Sequence, residues 1–249
     1  MQALLIFDDY KLEHLATSIN VSIALSTLRI LRLHQCDNTD AIFPTLTPNI
    51  HLHTLEIENY TSTHPLSLTN LLPFLSSFST LRSFICSLPD PTSTWTTTPV
   101  IDALKSHEAL ETCILSIGTH AATLPDLRAL RSNHPHLRTL GFRINPNTKT
   151  PRTTKHWTHS LAVEVVQFRE LEKWLIMASM QRDVGVMGSC KAMRLADAMR
   201  KTCCGLAGGE GCRVRAIGIL ARSDWYSREE IEAGEVPRVR EYFYPALDG

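Results

Sequence analysis

Histidine and cysteine are the residues in this chain whose spacing invites a chemical reading. His51 and His53 stand in "HLH", and His134 and His136 in "HPH". Imidazoles set this close are metal-ligand types, but zinc takes about four donors converging tetrahedrally. Neither pair has a cysteine pair nearby, so both read as surface histidines. Cys203-Cys204 with Cys212 lacks the C-x-x-C spacing of a redox or zinc site. A nucleophilic cysteine needs an adjacent base and an electropositive setting, and the sequence shows neither. "GLAGGEG" over residues 205–211 lacks the Lys-Ser/Thr of a phosphate-binding loop, and it precedes a strand-like segment instead of following one. It reads as a turn. The expectation is a protein with no catalytic residues, no cofactor and no metal.

The order in the chain lies instead in its leucines. "LSTLRILRLHQC" (25–36) and "LHTLEIENY" (52–60) fit one template, L-x-x-L-x-L-x-x-C/N, with Tyr60 in the place of the small polar residue. The template's first position recurs at Leu28, Leu52, Leu81, Leu110 and Leu137, spaced by 24, 29, 29 and 27 residues. Leucine-rich repeats run about 20–29 residues. The strand cores would be Leu31/Leu33, Leu55/Ile57, Phe84/Cys86, Cys113/Leu115 and Leu140/Phe142, with cysteine serving as a small hydrophobe. The ninth position holds Cys36, Tyr60, Pro89, Gly118 and Asn145, of which the first and last fit best.

Segments between the strands suit short helices: "SLTNLLPFLSSF", "PVIDALKSHEA" and "LPDLRALRSNHP". Asp102 and Ser67 are candidate caps, and Pro73 and Pro125 suit first turns or kinks. One strand and one short helix cannot bury their own apolar faces, whereas stacked copies share one continuous core.

The pattern starts early. "LLIFDDY" puts Leu5 and Phe7 in strand positions, with a first position at Gln2. A repeat stack needs polar caps, so upstream residues or a partner are expected over this end. Composition shifts near residue 150. All 11 histidines lie at or before His159, nine of the 11 glycines follow residue 184, and no proline lies between Pro151 and Pro237. "NPNTKTPRTTKH" reads as the boundary loop. Beyond it "LEKWLIM" (Trp174, Ile176) and "VRAIGIL" (Ile217, Ile219) continue the template at spacings of 34 and 43, with a helix "KAMRLADAMRKTC" between them. The chain is thus read as regular repeats over 1–150 and degenerate closing repeats with a C-terminal cap over 151–249. A separate small α/β domain is the alternative for the second part.

"LSTLRILRLHQC", "NIHLHTLEI", "HPHLRTLGFRIN" and the closing "REYFYPAL" resemble the leucine-rich-repeat regions of fungal F-box proteins, over roughly residues 1–220. The resemblance implies the substrate-selecting half of a ubiquitin-ligase receptor. Because the pattern begins inside a repeat, the F-box that docks on the ligase scaffold is expected to be absent from these residues.

The expected fold is therefore α/β: a curved leucine-rich-repeat solenoid of seven or eight irregular repeats, with parallel strands on the concave face and short helices outside. Alternate strand residues point to opposite faces. If Leu31 and Leu33 are buried, Ile30, Arg32 and His34 face outward. The same register exposes Thr54, Glu56 and Glu58, then Ser83, Ile85 and Ser87, then Thr112, Ile114 and Ser116, then Thr139, Gly141 and Arg143. The middle column is Arg32, Glu56, Ile85, Ile114 and Gly141. Exposed apolar residues rimmed by polar ones mark protein-binding patches, so the expected partner surface is Arg32, His34, Glu56, Glu58, Ile85, Ile114 and Arg143. The expected function is non-catalytic protein recognition, and a truncated or purely structural repeat protein is the rival. Formal net charge is zero, from 25 basic and 25 acidic residues, which argues against general attraction to nucleic acid or anionic membrane. No apolar run reaches the length of a membrane span. With no signal peptide and seven scattered cysteines, a cytoplasmic or nuclear location is expected.

Overall fold

The computed structural model describes residues 3–8, 27–34, 42–46, 50–58, 68–88, 96–117, 122–144, 159–179, 189–207, 213–222 and 240–245. The chain divides into two compact units, Met1–Gly118 and Thr119–Gly249. Both are α/β.

The first unit carries strands β1 (Ala3–Asp8), β2 (Leu28–His34), β3 (Thr54–Glu58), β4 (Ser83–Leu88) and β5 (Thr112–Ile117). Each pairs in parallel with the next in sequence. The connections hold helices α1 (Phe43–Leu46), α2 (Leu68–Ser76) and α3 (Thr98–Ala103), the last running into a 3-10 turn over Leu104–Ser106. The register aligns the repeats on their template positions. Leu5 pairs with Leu31, Leu31 with Leu55, Leu55 with Phe84, and Phe84 with Cys113. The second row in register runs Phe7, Leu33, Ile57, Cys86, Leu115. From β2 to β5 these side chains are at most 2% exposed. A strand of two or three apolar side chains has nothing of its own to cover them. Here the same positions of neighbouring strands lie alongside one another in register, and Leu71, Phe74 and Leu75 of α2 and Val100 and Ile101 of α3 are buried with them. Phe43, Phe74 and Phe78 stack in sequence, with ring centroids 4.9 and 5.2 Å apart.

A second ladder closes each coil where a strand begins. The carbonyl of Arg29 accepts from the His53 amide, that of His53 from Arg82 and Ser83, and that of Arg82 from Glu111 and Thr112. These bonds satisfy backbone groups that would otherwise be stranded beside the sheet.

The second unit repeats the arrangement with β6 (Thr139–Ile144), β7 (Lys173–Ser179), β8 (Ala216–Arg222) and β9 (Arg240–Pro245). β6, β7 and β8 are parallel, whereas β9 runs antiparallel to β8. Helices are α4 (Leu124–Asn133), α5 over residues 159–165, and α6 (Ser189–Leu206). Trp174 registers with Leu140 and with Ile217, as the degenerate templates require. Leu140, Phe142, Trp174 and Ile176 are at most 1% exposed, and the Phe142 and Trp174 rings lie 5.9 Å apart. The antiparallel closing strand was not foreseen, because "REYFYPAL" carries no template leucines to give its direction.

Helix ends depart from expectation. Asp102 caps nothing: it lies inside α3, whose N-cap is Thr97, and pairs with Lys105 at 2.7 Å. Pro73 sits inside α2, where its missing N–H removes one bond to the carbonyl four residues back. Pro125 stands in the first turn of α4, as expected. That helix has a capping box. The Thr123 hydroxyl accepts from the Asp126 amide, and the Asp126 carboxylate accepts from the Thr123 amide at 2.9 Å. Ser67, the boundary loop "NPNTKTPRTTKH" up to residue 156 and all five ninth-position residues lie outside the described residues. Among the described residues no helix is long and apolar enough to cross a membrane.

Candidate functional site

The open face of the first unit's strands collects most of the residues singled out from sequence. In-register parallel pairing stacks equivalent positions directly above one another, so Arg32 meets Glu56, Glu56 meets Ile85, and Ile85 meets Ile114. The next row pairs His34 with Glu58 and Glu58 with Ser87. All six predicted residues of this unit, Arg32, His34, Glu56, Glu58, Ile85 and Ile114, are half-buried, whereas their strand neighbours on the other face are buried.

The charged end of this face is tightly organised. Arg32 Nε lies 2.7 Å from Glu56 Oε2, and His34 Nε2 lies 3.4 Å from Glu56 Oε1. The Glu56 side chain is only 17% exposed, so its carboxylate is held between two cationic or proton-bearing groups and largely out of water. Glu58 adds a second carboxylate beside His34. Moving toward β5, the column turns apolar at Ile85 and Ile114.

Two features differ from expectation. Ser87 and Ser116 are buried, 6% and 4% exposed, as are Leu88 and Ile117 beyond them. The ends of β4 and β5 are thus enclosed on both faces, and the open surface there narrows to Ser83, Ile85, Thr112 and Ile114. Arg143, expected on the open face, belongs to the second unit and is buried, 7% exposed. Gly141 is buried as well. A long cationic side chain at a half-exposed strand position was read as surface-facing; its aliphatic stem lets it be covered instead.

A row of ionisable side chains runs along the starts of the strands: Arg29, His53, Arg82 and Glu111 follow the template's first leucine in successive repeats. Burial holds the His53 imidazole below its usual range, and the nearby Arg29 and Arg82 guanidinium groups and His51 push the same way. Arg82 pairs with Glu111 at 3.5 Å.

The thiols behave as packing groups. Burial pushes Cys113 up to about 12, and Cys86 is raised further by burial and the neighbouring Cys113. Neither is a thiolate near neutral pH, so neither is a nucleophile. Cys36 and Cys212 lie outside the described residues.

Sequence reading missed a structural position. Three residues before the first leucine of a repeat stand Phe78, His107, His134 and Phe168, all buried. His107 shows what the site asks for. Its Nδ1 accepts from the Leu81 amide at 3.3 Å and its Nε2 faces the Leu75 carbonyl at 2.9 Å. Its ring also stands edge-on to Phe78 at 5.0 Å. Those partners require the neutral tautomer protonated on Nε2. His134 was read as a surface histidine from "HPH"; it is fully buried at the end of α4. His136 is exposed and pairs with Glu170 at 2.9 Å. The signal was available as a ring-bearing residue at constant offset from the leucine, but Phe and His share no hydropathy that a pattern search would register.

No family model and no curated protein matches the chain.

Proposed function

We propose that this chain is a leucine-rich-repeat recognition module that captures a protein partner on the open face of its strands, without catalysis. The observation that carries this reading is the in-register column Arg32, Glu56, Ile85, Ile114. It offers a charged pair at one end and two adjacent half-buried isoleucines at the other. Polar groups around an apolar centre are the usual anatomy of a binding surface. The partner would bury Ile85 and Ile114 and meet complementary charge at Arg32, His34, Glu56 and Glu58. Arg143 drops out of this surface because it is already covered.

The resemblance to the repeats of F-box receptors supports a finer reading, in which the captured protein is a ubiquitylation substrate. Affinity purification from cells with mass spectrometry would name the partner. Ile85→Asp with Ile114→Asp should then abolish capture at least tenfold while leaving circular dichroism and the melting temperature close to wild type. Undiminished capture by the folded double variant would refute the surface. Loss of folding would mean that these isoleucines belong to the core.

A further inference from the structure

We propose that His34, Glu56 and Glu58 form a binding site for one zinc-type divalent ion at the C-terminal ends of β2 and β3. Among the described residues this is the one grouping of three His, Cys, Asp or Glu side chains whose donor atoms converge, all lying within 4.8 Å of one another. Zinc bonds of about 2.0–2.1 Å at tetrahedral angles put neighbouring donors about 3.4 Å apart. His34 Nε2 and Glu56 Oε1 are 3.4 Å apart without adjustment. The strand register fixes the arrangement from below. His34 and Glu58 are direct partners across β2 and β3, and Glu56 is the preceding residue on the same face of β3.

Arg32 sets the carboxylate for this task. Its Nε holds Glu56 Oε2 at 2.7 Å, which leaves Oε1 turned toward His34. Metal-ligating carboxylates are characteristically steadied by such an outer hydrogen bond. Strand alternation sets Glu56 and Glu58 on one face of β3, and a cation between them would relieve the repulsion of two neighbouring carboxylates. One imidazole and two carboxylates suit zinc better than magnesium, which prefers an all-oxygen octahedral shell. Three protein donors leave a coordination position open to water or to a side chain of a bound partner.

The inference stands apart from the recognition proposal, since the ion is measured with no partner present. The test is calorimetric titration of the chelator-stripped full chain with zinc chloride. Wild type should take up one more equivalent than His34→Gln or Glu58→Gln, each weakening the site at least about tenfold. His136→Ala, which removes another exposed histidine paired to a carboxylate, should titrate like wild type at this site, and magnesium chloride should give no saturable heat. Zinc uptake by His34→Gln and Glu58→Gln indistinguishable from wild type, with both folded by circular dichroism, overturns the proposal. Should either variant fail to fold, wild type alone decides. Zinc must shift the His34 ring resonances in a nitrogen-15 spectrum, and unchanged His34 signals at saturating zinc overturn the proposal equally.

Discussion

His107 is the residue on which the packing of two coils turns, because both of its ring nitrogens are committed to the preceding coil. Replacing it with phenylalanine, the residue at the equivalent Phe78 position, keeps a ring in the core but strands the Leu81 N–H and the Leu75 carbonyl. The expected cost is about 1–3 kcal/mol at pH 7.5, read from urea midpoints. Burial lowers the His107 pKa below its ordinary 6.5, outweighing its backbone hydrogen bonds. The folded chain therefore resists a proton that the unfolded chain accepts below about pH 6.5. This contribution is complete above the unfolded value and is lost as pH falls through the lower folded value. Wild-type stability should accordingly decline on acidification from pH 7 to 5, and the decline should be shallower in His107→Phe. Equal pH slopes for the two proteins would count against a neutral, bridging His107. Buried Cys86 and Cys113 give a second residue-scale test. At pH 8 both should react with an aromatic disulfide reagent far more slowly than in urea, since a thiol held at about 12 offers almost no thiolate.

At the scale of elements, the strands and the four helical segments between them were legible, and the helix ends much less so. Template leucines name Leu31, Leu55 and Leu140 as core, and all three are fully buried. The signal is strong because a period-two strand buried on one face tolerates no slip of a single residue. Even the stretched spacings to Trp174 and Ile217 kept the register. Helix ends carried weaker information, since one polar residue near a boundary does not say which turn it caps. Asp102 was the obvious candidate and lies within its helix, whereas the box at Thr123 and Asp126 needed both residues to be read together. Leu55→Ala should cost roughly 2–5 kcal/mol, the sum of lost transfer energy and an unfilled cavity. The second unit has an element-level tie of its own. Glu164, 6% exposed, receives Arg128 at 2.6 Å and Arg131 at 3.2 Å, joining α4 to α5. Glu164→Ala should lower stability by about 1–2 kcal/mol, because the exposed Arg128 can rehydrate once its partner is gone. A change within error would show that tie to be incidental.

For the whole molecule, the sequence makes a statement about neighbours: within each unit, template positions fall in register on adjacent strands. That logic was readable because it repeats, and repetition multiplies a weak signal from each strand. The functional face was readable only in part. Its column from Arg32 to Ile114 follows from the register, but the burial of Ser87, Ser116 and Arg143 depends on cover that no strand pattern encodes. The convergence of His34, Glu56 and Glu58 was likewise hidden, since its donors come from two coils and join only through the pairing of β2 with β3. The central claim is the parallel, in-register pairing of the first unit's strands, and methyl spectroscopy reads it directly. In a chain labelled at isoleucine δ-methyls, Ile85 and Ile114 should give a strong mutual Overhauser cross-peak that disappears on denaturation. A native spectrum in which Ile85 and Ile114 share no cross-peak, with each instead close to residues on other strands, would contradict the account.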